Sequence, residues 1–164
     1  MWGYNIGDTV RFVSTKPYRI VVSGRIKHFT SAFGEHVISK EVEEALKETV
    51  SVEACVVNEF HVAPQIHPGN GLPHHEWLIE FETPPKNMLE FKTLLNKNMC
   101  LQNSYYNDLI IGNVLSELKI TPLNKNSFVE HMKSMGKLGG QNKTPRLSND
   151  RKIANSLITL SNGY

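Results

Sequence analysis

The chain has 164 residues, a formal net charge of +2 and 40% apolar residues, enough for one domain with its own core and too nearly neutral for a nucleic-acid binder defined by composition. No apolar run reaches the roughly 18 residues of a membrane span, and the opening MWGYNIGDTV lacks the regions of a secretory leader, so a soluble, cytoplasmic protein is expected. Cys55 and Cys100 lie in apolar surroundings without metal-ligand spacing and read as reduced thiols, not as nucleophiles.

Val10, Phe12 and Val13, then Tyr18, Ile20 and Val22, alternate around Ser14-Thr15-Lys16-Pro17 and predict a β-hairpin. After Gly34 a helix is predicted to begin near Ile38-Ser39, with Ser39 accepting from first-turn amides and Glu41 at the positive end of the dipole. Val42, Ala45, Leu46 and Val50 share its inner face, and Lys40, Glu43, Glu44 and Lys47 its outer one. Val52 to Val62 is β-branched and aromatic and predicts a strand; the loop APQIHPGNGLPHH and a returning strand over 77–81 complete an antiparallel pair, which Pro84-Pro85 stops. Asn87, with Glu90 three residues on, marks a second helix carrying Leu89, Phe91, Leu94, Leu95 and Met99. Leu115 to Thr121 predicts a further strand, and Ser127 with Glu130 a capping box for a helix with Met132 and Met135 inward and Gly136 as its stop. A Gly-Gly loop and a last helix near 151–159 close the chain. The predicted class is α+β: an N-terminal β-hairpin followed by a small, mainly antiparallel sheet packed with helices.

Three stretches have chemistry-bearing composition. In Tyr4-Asn5-Ile6-Gly7-Asp8 a glycine lets the chain turn sharply before a carboxylate that could accept from two vicinal hydroxyls, as a ribose offers; an ordinary Gly-Asp turn fits equally. In Gly24-Arg25-Ile26-Lys27 the arginine offers a planar fork for phosphate or carboxylate and the lysine a mobile point charge, or both simply solubilise a hairpin end. Met135 to Arg146 places three glycines around lysines, with Lys143 ahead of the rigid Pro145, and lacks the order of a Walker phosphate loop. From Lys125 to Lys152 seven basic residues stand against two acidic ones, which suits either an anionic partner or a solvated face. Aromatic residues do not interleave with these charges, which counts against RNA binding. His61, His67, His74 and His75 flank one loop without a zinc spacing, so no metal is expected; His28, His36 and His131 read as surface or boundary residues.

Taken in order, YNIGD, the strand pair, GRIKHFTSAFGEHVISKEVEEAL and a late lysine in a basic glycine-rich loop resemble the C-terminal part of adenylate-forming enzymes. Within that superfamily HHEWLIEFETPP, the NxxY at Asn103 to Tyr106 and GKLGGQNKTPRLSNDR look like the auxin-responsive promoter family of acyl acid–amido synthetases, in its bacterial branch. Two positions depart from the pattern: Ile6 stands where the superfamily usually has threonine, and YNDLIIGN follows NxxY where relatives more often show a basic residue. The resemblance implies a ligase that uses ATP and Mg²⁺ to convert a carboxylic acid to an acyl-adenylate and then conjugates it to an amine or amino acid. It implies that Asp8, Tyr4 and Arg25 serve the nucleotide, that Lys27 is the hinge and that Lys143 is catalytic. It further implies a hairpin over 1–23 leading from an N-terminal adenylation domain, a lid over 24–164, no nucleic-acid or membrane partner, and a fragment inactive by itself, opening inside a motif after a supplied Met1. The alternative is a stand-alone basic RNA-binding or protein-interaction module.

Overall fold

The computed structural model describes residues 8–25, 29–137 and 143–162. Strands β1 (Asp8–Thr15) and β2 (Tyr18–Arg25) form the expected antiparallel hairpin. Short strands β3 (Phe29–Thr30) and β4 (Val37–Ile38) pair next and lead into helix α1 (Ser39–Val52). The principal sheet has the order β5-β6-β7, from β5 (Val56–Gln65), β6 (His74–Thr83) and β7 (Lys119–Leu123). Between β6 and β7 lie α2 (Met88–Gln102) and α3 (Ser104–Ile111); α4 (Ser127–Ser134) and α5 (Lys152–Asn162) follow β7.

Strand β6 explains the arrangement. Trp77, Leu78 and Ile79 are all fully buried, and because successive side chains point to opposite faces, such a run needs cover on both sides. On one face Trp77 and Ile79 join Phe60, Phe91, Leu95, Met99 and Tyr106 in a core that includes Val42, Ala45 and Leu46 of α1. On the other, Leu78 meets Ala63, Leu123, Phe128, Ala154 and Leu157, so α4 and α5 cover that face. The β5–β6 pairing is antiparallel as expected, whereas β7 joins β6 in parallel after the α2–α3 crossover.

Several local expectations are displaced. The cap of α1 falls on Ile38, whose N–H is accepted by the Glu41 carboxylate at 3.0 Å, so Ser39 is the first helical residue. Helix α1 absorbs Val52, and β5 therefore begins four residues late. The expected long loop is present over 66–73 but is trimmed at both ends, since β5 runs through Pro64 to Gln65 and β6 starts at His74. The strand expected from Leu115 begins at Lys119. Leu89 and Met135, expected to face inward, are 69% and 54% exposed. The cap at Asn87 is as expected, its side chain accepting from the N–H groups of Leu89 and Glu90.

Helix α3 was not anticipated, and the NxxY stretch accounts for it. Asn103 ends α2 and caps α3, its Oδ1 accepting from Tyr106 N–H at 2.7 Å while its Nδ2 donates to Glu41. The fully buried Tyr106 donates its hydroxyl to Asn96 Oδ1 at 2.9 Å, and the same oxygen accepts from Leu118 N–H. The motif thus ties α1, α2 and α3 together through satisfied buried polar groups.

A buried pair fastens the 31–36 loop to the same core. Glu35 Oε1 lies 2.9 Å from His75 Nε2, both side chains at most 1% exposed, and Glu35 Oε2 accepts from Phe33 N–H at 2.8 Å. Burial alone would raise the Glu35 pKa, but the hydrogen bond and charge of His75 and the N–H of Phe33 together hold it below 4.5. His75→Ala would leave that carboxylate buried without its side-chain partner, so a loss of about 3–5 kcal/mol is expected in urea unfolding at neutral pH. Because Glu35 has a depressed folded pKa, its contribution is complete above the unfolded value of 4.5 and disappears as pH falls through the lower folded value. The variant's stability should accordingly decline less steeply with acid than the wild type's; parallel stability–pH curves would contradict this account.

Candidate functional site

Hairpin register brings two of the sequence-selected residues together. Asp8, the first residue of β1, lies directly opposite Arg25, the last of β2, so a carboxylate-bearing and a guanidinium-bearing position share the open end of the hairpin. Tyr4, Ile6, Lys27 and His28 lie outside the described residues, as does the Gly139-Gly140 stretch.

Lys143 stands elsewhere, on the rim of a cleft of about 460 Å³ beside the β5 edge of the sheet. Asn58 and Glu59 of β5, Glu80 of β6, Phe128, Val129 and Met132 of α4, and Lys137 also line it. Glu80 ties one wall of the cleft to the sheet. Its place on β6 after Ile79 turns it to the α4 face, where its carboxylate accepts from the N–H groups of Asn126 at 3.0 Å and Phe128 at 3.4 Å and from Asn58 Nδ2 at 3.5 Å. A buried side chain of the sheet thereby caps α4, a role that the capping-box pattern predicts for Ser127. Ser127 is instead the first helical residue, donating its hydroxyl to Asn124 O, and the cap is Asn126 in a left-handed conformation (φ 68°).

At its other end α4 stops at Gly136, whose φ of 65° suits a residue without Cβ. The N–H of Gly136 bonds to Lys133 O and that of Lys137 to Met132 O, the Schellman pattern, and this brings Lys137 to the cleft. The basic run now divides into two groups. Lys125 pairs with Glu82, Lys133 with Glu130, Arg146 with Glu43 and Glu59, Arg151 with Glu76, and Lys152 with Asp150. Lys137 and Lys143 have no ion-pair partner among the described residues, and both line the cleft. Sequence reading selected Lys143 alone; the stop signal at Gly136 was the available pointer to Lys137.

The segment carrying Lys143 is built onto the sheet edge. Val62 N–H donates to Arg146 O at 2.8 Å and Ser148 N–H to Val62 O at 3.0 Å, forming a parallel bridge between Val62 and Leu147. The Arg146 guanidinium lies 5.3 Å from the Phe60 ring centroid. His61, fully buried, places Nδ1 2.6 Å from Pro145 O and Nε2 3.2 Å from Ser148 Oγ. Desolvation lowers its pKa to about 4, only partly offset by the Pro145 carbonyl, so the ring is neutral at physiological pH.

The remaining histidines divide by burial. His74 is buried with its ring toward Leu72 O, while His36 is exposed. His131, expected at the surface or its boundary, is 5% exposed and bonded to Ser156 Oγ at 2.9 Å, because α5 packs over it. Among the described residues no three His, Cys, Asp or Glu side chains are grouped to hold a metal. Cys55 and Cys100 are free thiols whose pKa values burial raises, so neither is primed as a thiolate. No described helix is long and apolar enough to cross a membrane.

Comparison with known proteins adds a family. Residues 39–152 match a family model described as the GH3 family C-terminal domain. A solved structure described as GH3.15 acyl acid amido synthetase superimposes with a TM-score of 0.72 at 16% identity, over 94% of this chain and 29% of that one. Another, described as AtGH3.15 acyl acid amido synthetase in complex with 2,4-DB, gives 0.69 at 15% identity with the same coverage. At such identities the likeness is one of fold, and the chain spans less than a third of the length of either structure. No curated protein matches the sequence.

Removing the cap that shapes the cleft tests its construction. Glu80→Ala should cost about 1–3 kcal/mol by leaving donors of the Asn126–Phe128 turn unsatisfied, with faster amide exchange at those two residues. Unaltered exchange there would show that Glu80 does not hold the start of α4.

Proposed function

The chain belongs to the GH3 family through its C-terminal domain, and on that premise we propose that it is the lid of an ATP-dependent acyl acid–amido synthetase of the family's bacterial branch, acting in the cytoplasm. The enzyme adenylates a carboxylic acid and conjugates it to an amine or amino acid, and this lid works with its own N-terminal adenylation domain. The observation that carries the reading is Lys143: an exposed cation, without an ion-pair partner among the described residues, on a backbone fixed to the sheet only three residues later.

Its chemistry follows from charge. When bound, ATP with Mg²⁺ supplies the activated phosphorus that the acid's carboxylate attacks, with departure of pyrophosphate. A cation delivered there opposes the negative charge that builds on the phosphoryl oxygens, and it is most effective where water is excluded. Lys143 is the residue proposed to deliver it. Asp8 is proposed to accept from the ribose hydroxyls, with Arg25 and Tyr4 beside the same nucleotide. Register supports the pairing of Asp8 with Arg25, whose positions face each other. ATP and Mg²⁺ are proposed to be held mainly by the adenylation domain.

The hairpin supports the proposed partner. Val10, Phe12, Val13, Tyr18, Ile20, Val21 and Val22 are between 42% and 78% exposed, so both faces of an isolated two-stranded ribbon display large apolar side chains. Such a ribbon is marginal in water by itself, and apolar exposure on this scale marks a contact surface. An adenylation domain occupies it in this reading, and Lys27, between hairpin and lid, is the proposed hinge for the rotation between the two half-reactions. A free-standing RNA-binding module is less well supported, because most of the basic run is ion-paired to carboxylates.

In the full-length enzyme Lys143→Ala should slow carboxylate-dependent pyrophosphate release by about 10²–10³-fold, while Asp8→Ala should mainly raise KM for ATP. The 164-residue chain alone should release no pyrophosphate. A normal rate in the Lys143 variant would remove that residue from the mechanism, and turnover by the chain alone would remove the lid reading.

A further inference from the structure

We infer that His61 and Thr30 act together as a clamp on Ser148 that sets the reach of Lys143, His61 being a positioning residue for the adenylation step; this rests on the reading of Lys143 given above. The clamp begins with an expensive choice of side chain. His61 sits on the sheet face that carries Ala63 and Leu78, with no exposure, where an aliphatic residue would bury without losing hydration. The desolvation that depresses its pKa is a cost offset only by specific hydrogen bonds.

Both ring nitrogens go to one short stretch of chain. The Pro145 carbonyl can only accept, so Nδ1 at 2.6 Å carries the proton and donates. In the neutral ring Nε2 is then an acceptor, facing the Ser148 hydroxyl at 3.2 Å. That hydroxyl also lies 2.7 Å from Asp150 O, and its single proton is shared between the two acceptors. From the opposite side Thr30 Oγ1 donates to Ser148 O at 2.6 Å, and Ser31 N–H donates to Asn149 Oδ1 at 3.1 Å. Ser148 is therefore gripped through its hydroxyl by β5, through its N–H by Val62, and through its carbonyl by β3.

Two consequences follow for Lys143. It precedes Pro145 by two residues, with Thr144 buried between them, so its Cα lies within about 7 Å of the anchored proline. Since Thr30 follows Lys27 by three residues, the chain just beyond the proposed hinge and the chain bearing the lysine are fastened to one another. Rotation must then carry Thr30, His61 and Lys143 as one body. A displacement of about 1 Å in a reacting group costs about 10²-fold in rate, so loosening the clamp acts on kcat without touching a ligand.

The test uses full-length enzyme and two readouts. Hydrogen exchange over residues 143–150 should accelerate at least about tenfold in both His61→Leu and Thr30→Val; unchanged exchange overturns the clamp whatever Lys143 does. In adenylation kinetics His61→Leu should lower kcat by about 10–100-fold with KM for ATP within about twofold, and His61→Asn, whose amide can replace Nδ1–H, should recover most of the loss. In a Lys143→Ala background His61→Leu should have little further effect. An equal loss in both backgrounds reduces His61 to a structural residue and overturns the positioning role. A Lys143→Ala enzyme of normal rate defeats the reading of Lys143 instead, and the positioning role falls with it even if exchange responds. Thr30→Val, which deletes one exchangeable bond and keeps the side-chain volume, carries the test should His61→Leu fail to fold.

Discussion

Burial of β6 on both faces is the constraint from which the rest of the structure proceeds. Trp77, Leu78 and Ile79 have no exposure, so helices must lie on either side, and the chain supplies α1 with α2 on one and α4 with α5 on the other. Alternation then decides what the polar residues at the strand's two ends can reach. His75 shares a face with Trp77 and meets Glu35 and Tyr106, while Glu80 shares the opposite face with Leu78 and meets the start of α4. A slip of one residue would bury each group against the wrong partner. The same strand therefore fixes the core, the loop following the hairpin and the cleft beside Lys143.

Charge is organised by the same geometry. A run of the chain with seven basic residues against two acidic ones looks like an anion-binding tail, yet Glu43, Glu59, Glu76 and Glu82, all from elsewhere in the sequence, lie against it. The more exposed of these pairs, such as Lys125–Glu82, contribute little stability individually. Their larger consequence is selective: among the described residues of the basic run they leave Lys137 and Lys143 without an ion-pair partner, and both line the cleft that Glu59 and Glu80 also line.

The sequence was informative where the signal is local. The hairpin, the start of α1, the Asn87 cap, the Gly136 stop and the last helix all follow from turn residues, caps and helical period, and each is present. It misled where the partner is distant. Ser127 read as a cap because Glu130 follows it, but a carboxylate 47 residues earlier, Glu80, takes the role. The loop after β5 was expected to begin before Pro64, a turn former, although strand pairing extends to Gln65 opposite His74 and leaves only 66–73 as loop. His131 read as a surface or boundary residue because no local pattern announces that α5 will cover it. The candidate site is split the same way: Asp8, Arg25 and Lys143 stood out by residue type and spacing, whereas Lys137, His61 and Thr30 acquire meaning only from contacts across the chain.

Two ties fasten the stretch between the hairpin and α1 to the principal sheet. Thr30 is bound to Ser148 at its beginning, and Glu35 is bound to His75 near its end. A linker intended to flex would present exposed, self-sufficient polar residues, and this one instead spends a buried carboxylate on the core. The rotation proposed for the lid therefore cannot be distributed along residues 30–38. On that proposal the Lys143 segment belongs to the same body as Thr30, because Thr30 Oγ1 holds Ser148 O. A compact pivot coupled to a fixed arm converts a change of backbone angle at one place into a defined displacement of one ammonium group, which is what a reaction sensitive to ångström-scale placement requires.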